Sequence, residues 1–102
     1  MNFGLKESDL EYIIGIIRKF PEVKKVVIFG SRAKGDFKPG SDVDIAIYGE
    51  NINFDILSKI HWELEEESPM PYLFDIVDYT HLNHKELREH IQRVGKVIYD
   101  GK

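Results

Sequence analysis

The stretch Phe29-Gly30-Ser31-Arg32-Ala33-Lys34-Gly35, followed by Ser41-Asp42-Val43-Asp44-Ile45, decides how this chain folds. Just before it, Val26-Val27-Ile28-Phe29 is a β-branched and apolar run that stops abruptly at Gly30, so residues 24–29 read as a buried strand. Residues 31–41 are small, polar and glycine-punctuated, with a turn at Pro39-Gly40. A second strand runs from Asp42 to Tyr48. Val43, Ile45 and Ile47 face one way and Asp42, Asp44 and Ala46 the other, and Gly49 closes it.

This strand–loop–strand unit carries two chemical features. At Gly30-Ser31 a strand stops and a short helical turn is predicted, which exposes backbone N–H groups that favour an anion. Glycine allows a phosphate to approach the backbone, and the Ser31 hydroxyl adds a donor. Arg32 and Lys34 place positive charge beside the same point. By itself a Gly-Ser turn after a strand is a common connection. Asp42 and Asp44, two residues apart on a strand, turn both carboxylates to one side. Like charges so close repel unless a cation lies between them. Their hard oxygens suit Mg²⁺ or Mn²⁺, and a pair of such ions about 4 Å apart clamps the attacking and leaving oxygens of a phosphoryl displacement. An Asp-x-Asp at a loop–strand junction can also simply cap the loop.

Working outward, Ser8-Asp9-Leu10-Glu11 reads as a capping box for a helix over residues 9–19, with Leu10, Ile13, Ile14 and Ile17 at helical spacing and Pro21 stopping it. Asn53 caps a second helix bearing Phe54, Leu57, Ile60 and Leu64, which ends at Ser68-Pro69. Residues 72–79 form a third strand with Asp75 set among Phe74, Ile76 and Val77, although acidic residues are disfavoured inside strands. A buried carboxylate needs a partner or a metal. If this strand pairs with that of Asp42 and Asp44, all three carboxylates converge, and Asp75 can also help deprotonate an attacking hydroxyl. Asp78 points to the opposite face and is expected to be solvated. Asn83 and Glu86 cap a last helix through Leu87, Ile91 and Val94, and residues 96–99 add an edge strand. The predicted fold is therefore a mixed α/β (α+β) arrangement: a small mixed sheet with helices mainly on one face.

Size and charge narrow the function classes. A chain of 102 residues fits a single domain spanning 1–102. Its net charge of −4 argues against tight independent binding to nucleic acid, whose phosphates demand a basic surface. It has no cysteine, which excludes a disulfide framework and a thiolate zinc site. With no apolar run of spanning length, no membrane is expected and the cytoplasm is the default location. His81, His84 and His90 are spaced too loosely for zinc and read as surface or capping residues. Trp62 reads as core or partner interface, and Glu63 to Glu67 as a solvated helix end or a patch for a basic partner. Tyr72 and Tyr79 are placed where they can border a nucleotide pocket.

Gly30-Ser31, ten residues, then Asp42-Val43-Asp44 resembles the Gly-Ser-x10-Asp-x-Asp signature of the DNA polymerase beta nucleotidyltransferase superfamily. The fuller string, with Leu73-Phe74-Asp75-Ile76-Val77 matching the strand of the third carboxylate, is similar to the minimal nucleotidyltransferases (MNT), over nearly the whole chain. The resemblance implies a polymerase-beta-like fold. It implies that Gly30 and Ser31, with Arg32, Lys34 and Ser41 beside them, bind the triphosphate of ATP, and that Asp42, Asp44 and Asp75 hold two Mg²⁺ ions. It further implies a separate helical HEPN protein as partner, an RNase toxin that the nucleotidyltransferase neutralises. Neutralisation proceeds by attaching AMP to a tyrosine hydroxyl, by binding, or both. The alternatives are a non-catalytic nucleotide-binding antitoxin and a small-molecule nucleotidyltransferase acting on an antibiotic-like acceptor. Homodimer or hetero-oligomer formation is compatible with all of these.

Overall fold

The computed structural model describes residues 3–38 and 40–101. Helix α1 (Glu7–Ile17) leads to strand β1 (Lys25–Phe29), the short helix α2 (Gly30–Lys34), β2 (Val43–Tyr48), α3 (Phe54–Glu65), β3 (Phe74–Asp78), α4 (Lys85–Val94) and β4 (Lys96–Asp100). The sheet order is β3-β2-β1-β4. β1 runs antiparallel to both β2 and β4, while β2 and β3 are parallel and joined by a crossover through α3.

The alternation along the strands decides what each face buries. Val26, Ile28, Val43, Ile45, Ile47 and Phe74 pack beneath α1 and α3 in one core that also holds Ile13, Ile17, Ile60 and Leu64. Each such side chain, fully removed from water, contributes roughly 1.5–3 kcal/mol. Val27, Phe29, Ala46 and Tyr79 form a smaller cluster on the opposite face, covered by Ile91 of α4. The two longest helices thus share one face, and α4 covers part of the other.

Two helix starts differ from expectation. α1 begins at Glu7, ahead of Ser8, because the Asp9 carboxylate accepts the Lys6 backbone N–H at 3.3 Å and draws Lys6 into the cap position. Ser8 and Glu11 therefore form no capping box. α4 is capped by His84, whose Nδ1 accepts from the Leu87 N–H at 3.1 Å, in place of Asn83. Asn53 caps α3 as expected, accepting from Ile56 N–H at 2.9 Å. Of the turn expected at Pro39-Gly40, Pro39 lies outside the described residues, while Gly40 has φ +84°.

Candidate active site

The site forms where β1, β2 and β3 meet the loops at one end of the sheet. β1 ends at Phe29, and Gly30 adopts φ +73°, a left-handed backbone that only glycine takes without strain, to turn the chain into α2. The first N–H groups of any helix lack partners within it, which suits this turn to a phosphate. Ser31 is half-buried. α2 ends at Gly35, whose N–H returns to the Ser31 carbonyl at 2.9 Å.

Asp44 pairs across to Phe29 on one side and to Asp75 on the other. The pairing of β2 with β3 that the expected convergence required is present, and it brings two of the three carboxylates together: Asp44 and Asp75 sit at the same level on neighbouring strands and share a face. Asp42 lies just before β2, exposed, rather than within the strand. The Asp44 carboxylate also lies directly over Gly30, filling the space where a side chain would stand. Burial first, then the neighbouring charges of Asp75 and Asp42, push the Asp44 carboxyl up to about 6 against the opposing pull of Arg32.

Arg32 and Ser41 are held within the loop instead of being presented as open ligands. Arg32 is only 3% exposed. Its guanidinium donates to the Ser41 carbonyl through Nε at 3.2 Å and Nη2 at 2.8 Å, and to the Phe3 carbonyl through Nη1 at 3.0 Å. The rings of Phe37 and Tyr72 flank it. The Ser41 hydroxyl donates to the Lys38 carbonyl at 2.7 Å and accepts the Lys38 N–H at 3.0 Å. Arg32 thus ties the N-terminal segment to the loop that delivers Asp42. Lys34 is exposed, with Nζ 3.6 Å from Asp36.

Among the described residues, no three His, Cys, Asp or Glu side chains form a ready-made metal cage. The donor set still fits a hard divalent cation. The charges of Asp75 and Asp42 both act on Asp44, and among the described residues none of the three makes an ion pair. Mg²⁺ keeps several waters and takes one or two carboxylates plus substrate phosphates, so a pre-closed cage is not required.

Residues outside this group have defined tasks. Asp78 accepts from the His81 backbone N–H at 3.3 Å and lies 2.8 Å from its ring Nδ1, so it braces a turn and is less solvated than expected. Tyr72 donates to Asp9 at 3.0 Å, and Tyr79 stacks on Tyr48 while accepting from Gln92 at 2.6 Å. Glu63 pairs with Lys19. Glu65 accepts the Phe74 backbone N–H at 2.6 Å, and His61 Nε2 lies 3.1 Å from the Phe74 carbonyl oxygen and 3.0 Å from Glu65. This clamp of α3 on the start of β3, one residue before Asp75, is invisible in a sequence that reads Glu63 to Glu67 as a charged helix end. No helix among the described residues is long and apolar enough to cross a membrane.

The family model described as polymerase beta nucleotidyltransferase matches residues 11–102. The chain is 32% identical to the probable protein adenylyltransferase MntA of Haemophilus influenzae over 97 residues, covering 94% of this chain and 83% of that one. Its fold matches a crystallised toxin–antitoxin with AMP-PNP at a TM-score of 0.76 and 22% identity, over 89% of this chain and 73% of that one. It also matches a complex of tri-AMPylated Shewanella oneidensis HEPN toxin with MNT antitoxin at a TM-score of 0.72 and 18% identity, over 94% and 73% of the two chains. With the paired carboxylates and the glycine turn in place, the chain belongs to the polymerase beta nucleotidyltransferase family, in the minimal branch that includes MntA.

Proposed function

We propose that this chain acts in the cytoplasm as a single catalytic domain that transfers AMP from ATP to a tyrosine hydroxyl of a HEPN-domain toxin, and so serves as the antitoxin of the pair. The observation that carries the reading is the register that sets Asp44 beside Asp75 while Asp44 also covers Gly30. Carboxylates able to hold metal and a turn able to hold phosphate thereby lie about one strand spacing apart, ~4.8 Å. The Haemophilus relative, named for protein adenylyl transfer, and the structural neighbour bearing an AMPylated HEPN toxin support this choice of donor and acceptor.

In this reading the Gly30-Ser31 turn receives the β- and γ-phosphates, and exposed Lys34 adds positive charge beside them. Asp42, Asp44 and Asp75 would hold Mg²⁺, with two ions expected and Mn²⁺ a fitting substitute; the metal supplies charge neutralisation on the triphosphate. The tyrosyl oxygen forms a bond to the α-phosphorus as the bond from that phosphorus to the bridging oxygen breaks. Pyrophosphate leaves, and the phenolic proton passes to a carboxylate and then to water. Asp75, exposed on the edge strand β3, would take it. Arg32 and Ser41 act from behind by fixing the loop.

The test is incubation of the purified chain with labelled ATP, Mg²⁺ and a HEPN-domain protein with which it forms a complex. Wild type is expected to label the HEPN protein, and the near-isosteric Asp44→Asn to leave it unlabelled while remaining folded. Absence of label with folded wild type would sink the proposal.

A further inference from the structure

We propose that His90 is a nucleotide-contact residue, its imidazole donating a hydrogen bond to the β- or γ-phosphate held at the Gly30-Ser31 turn. The inference rests on the adenylyl-transfer reading above. Phe29 and Asp44 are cross-strand partners, so their side chains leave the sheet on one face. On that face the ring of His90 stands edge-to-face with that of Phe29, with centroids 6.1 Å apart and planes at 81°. Phe29 immediately precedes Gly30. The imidazole is therefore held on the β1 side of Asp44, the side of the glycine turn, while Asp75 lies on the other.

Helix α4 is mounted so that this side chain faces the site. Ile91 packs into the cluster of Val27 and Phe29. Arg88 donates to the carbonyls of Tyr79 and Leu82 at 2.8 and 3.1 Å, and Gln92 donates to the Tyr79 hydroxyl at 2.6 Å. These bonds tie one flank of α4 to the far end of β3, beyond Asp78. At about 100° per residue, position 90 lies roughly 200° around the helix from both 88 and 92, on the opposite flank. That flank meets Phe29, at the end of β1 where Asp44 stands. His90 is half-buried, and among the described residues its ring makes no hydrogen bond or ion pair. Among those residues no buried side-chain nitrogen or oxygen is left unpartnered, so the ring nitrogens of His90 reach solvent. Packing against Phe29 needs only a ring, and the donor nitrogen has no task within the chain. A phosphate at the turn supplies the missing acceptor.

His90→Phe keeps a ring against Phe29 and removes the nitrogens, whereas His90→Gln keeps a donor and removes the ring. ATP affinity in Mg²⁺ is read by calorimetry, and phosphorus NMR spectra are recorded of AMP-PNP bound at saturation. His90→Phe should raise the ATP Kd about tenfold, the scale of one hydrogen bond to a charged group, while His90→Gln stays within about threefold of wild type. The β- or γ-phosphorus resonance of bound AMP-PNP should move in His90→Phe, with the α-phosphorus nearly unchanged. Wild-type ATP affinity in folded His90→Phe, a loss in His90→Gln as large as that in His90→Phe, or phosphorus resonances that stay in place would each overturn the contact and leave adenylyl transfer standing. Wild type that binds no ATP overturns the functional reading, and the contact with it.

Discussion

The carboxylate of Asp44 stands in the space that a side chain at Gly30 would need. The Gly30 turn and strand β2 are thus packed against each other, and the glycine is required twice. Its φ of +73° excludes ordinary residues, and its missing Cβ makes room for Oδ2 of Asp44. Gly30→Ala should cost ~1–2 kcal/mol for the left-handed backbone alone, lowering Tm by roughly 4–8 °C for each kcal/mol in a domain near this size. It should also displace Asp44 and abolish transfer at temperatures where the variant is still folded. Melting curves and the labelled-ATP assay on the same preparation check this. Full transfer by folded Gly30→Ala would show that the contact is dispensable.

Asp44 gives the metal-free protein a pH dependence of defined sign. Its carboxyl is raised to about 6 by burial and by Asp75 and Asp42, above its ordinary value of 3.8. Between those two values the folded chain keeps a proton that the unfolded chain has released, so this group's contribution to stability falls as pH rises through the window. Asp44→Asn removes that cost. In a chelator it should melt above wild type at neutral pH, with the gap closing toward acid. Adding Mg²⁺ and ATP should stabilise wild type more at neutral pH than below pH 6, and transfer should decline as Asp44 takes up its proton. Melting scans across this range decide the matter, and a lower neutral-pH Tm for Asp44→Asn contradicts the assignment.

Arg32 is the buried fastener of the loop that delivers Asp42, bonded to the Phe3 and Ser41 carbonyls. A planar fork holds the Ser41 oxygen through two nitrogens, a geometry an ammonium cannot copy. Arg32→Lys should therefore destabilise by about 1.5–3 kcal/mol, the range for hydrogen bonds to a charged group. A denaturant midpoint unchanged from wild type would count against this role.

The chain's own pattern revealed the architecture because its strands alternate cleanly. Val43, Ile45 and Ile47 against Asp44 and Ala46 set the two faces of β2, and the structure fills them accordingly. The carboxylate convergence was legible only conditionally, since no local signal fixes which strand lies beside β2; the parallel crossover through α3 supplies that pairing. Arg32 and Ser41 read as nucleotide ligands because a basic residue and a hydroxyl flank the motif. Their engagement depends on Phe3, 29 residues away from Arg32, and on the hydrogen bonds between Ser41 and Lys38, neither of which has a periodic signature. The helix starts were shifted by competition between adjacent caps. Ser8 lost to the Asp9–Lys6 bond, and Asn83 lost to an imidazole nitrogen on His84 that can accept a hydrogen bond when neutral.

Glu65 shows how a charged helix end can serve the site from a distance. Its carboxylate accepts the outward N–H of Phe74 at 2.6 Å and contacts His61, fixing the start of β3 one residue before Asp75. Glu65→Ala leaves that N–H without its acceptor at a partly buried position, which should cost about 1–3 kcal/mol. Glu65→Gln keeps an oxygen in reach and should recover most of the stability. If the clamp positions Asp75, the alanine variant should also lose transfer rate at saturating ATP with little change in ATP affinity, and the glutamine variant should regain it. Hydrogen exchange at Phe74 gives an independent readout: faster exchange in Glu65→Ala than in Glu65→Gln is expected, and equal exchange in the two variants would separate Glu65 from the placement of β3.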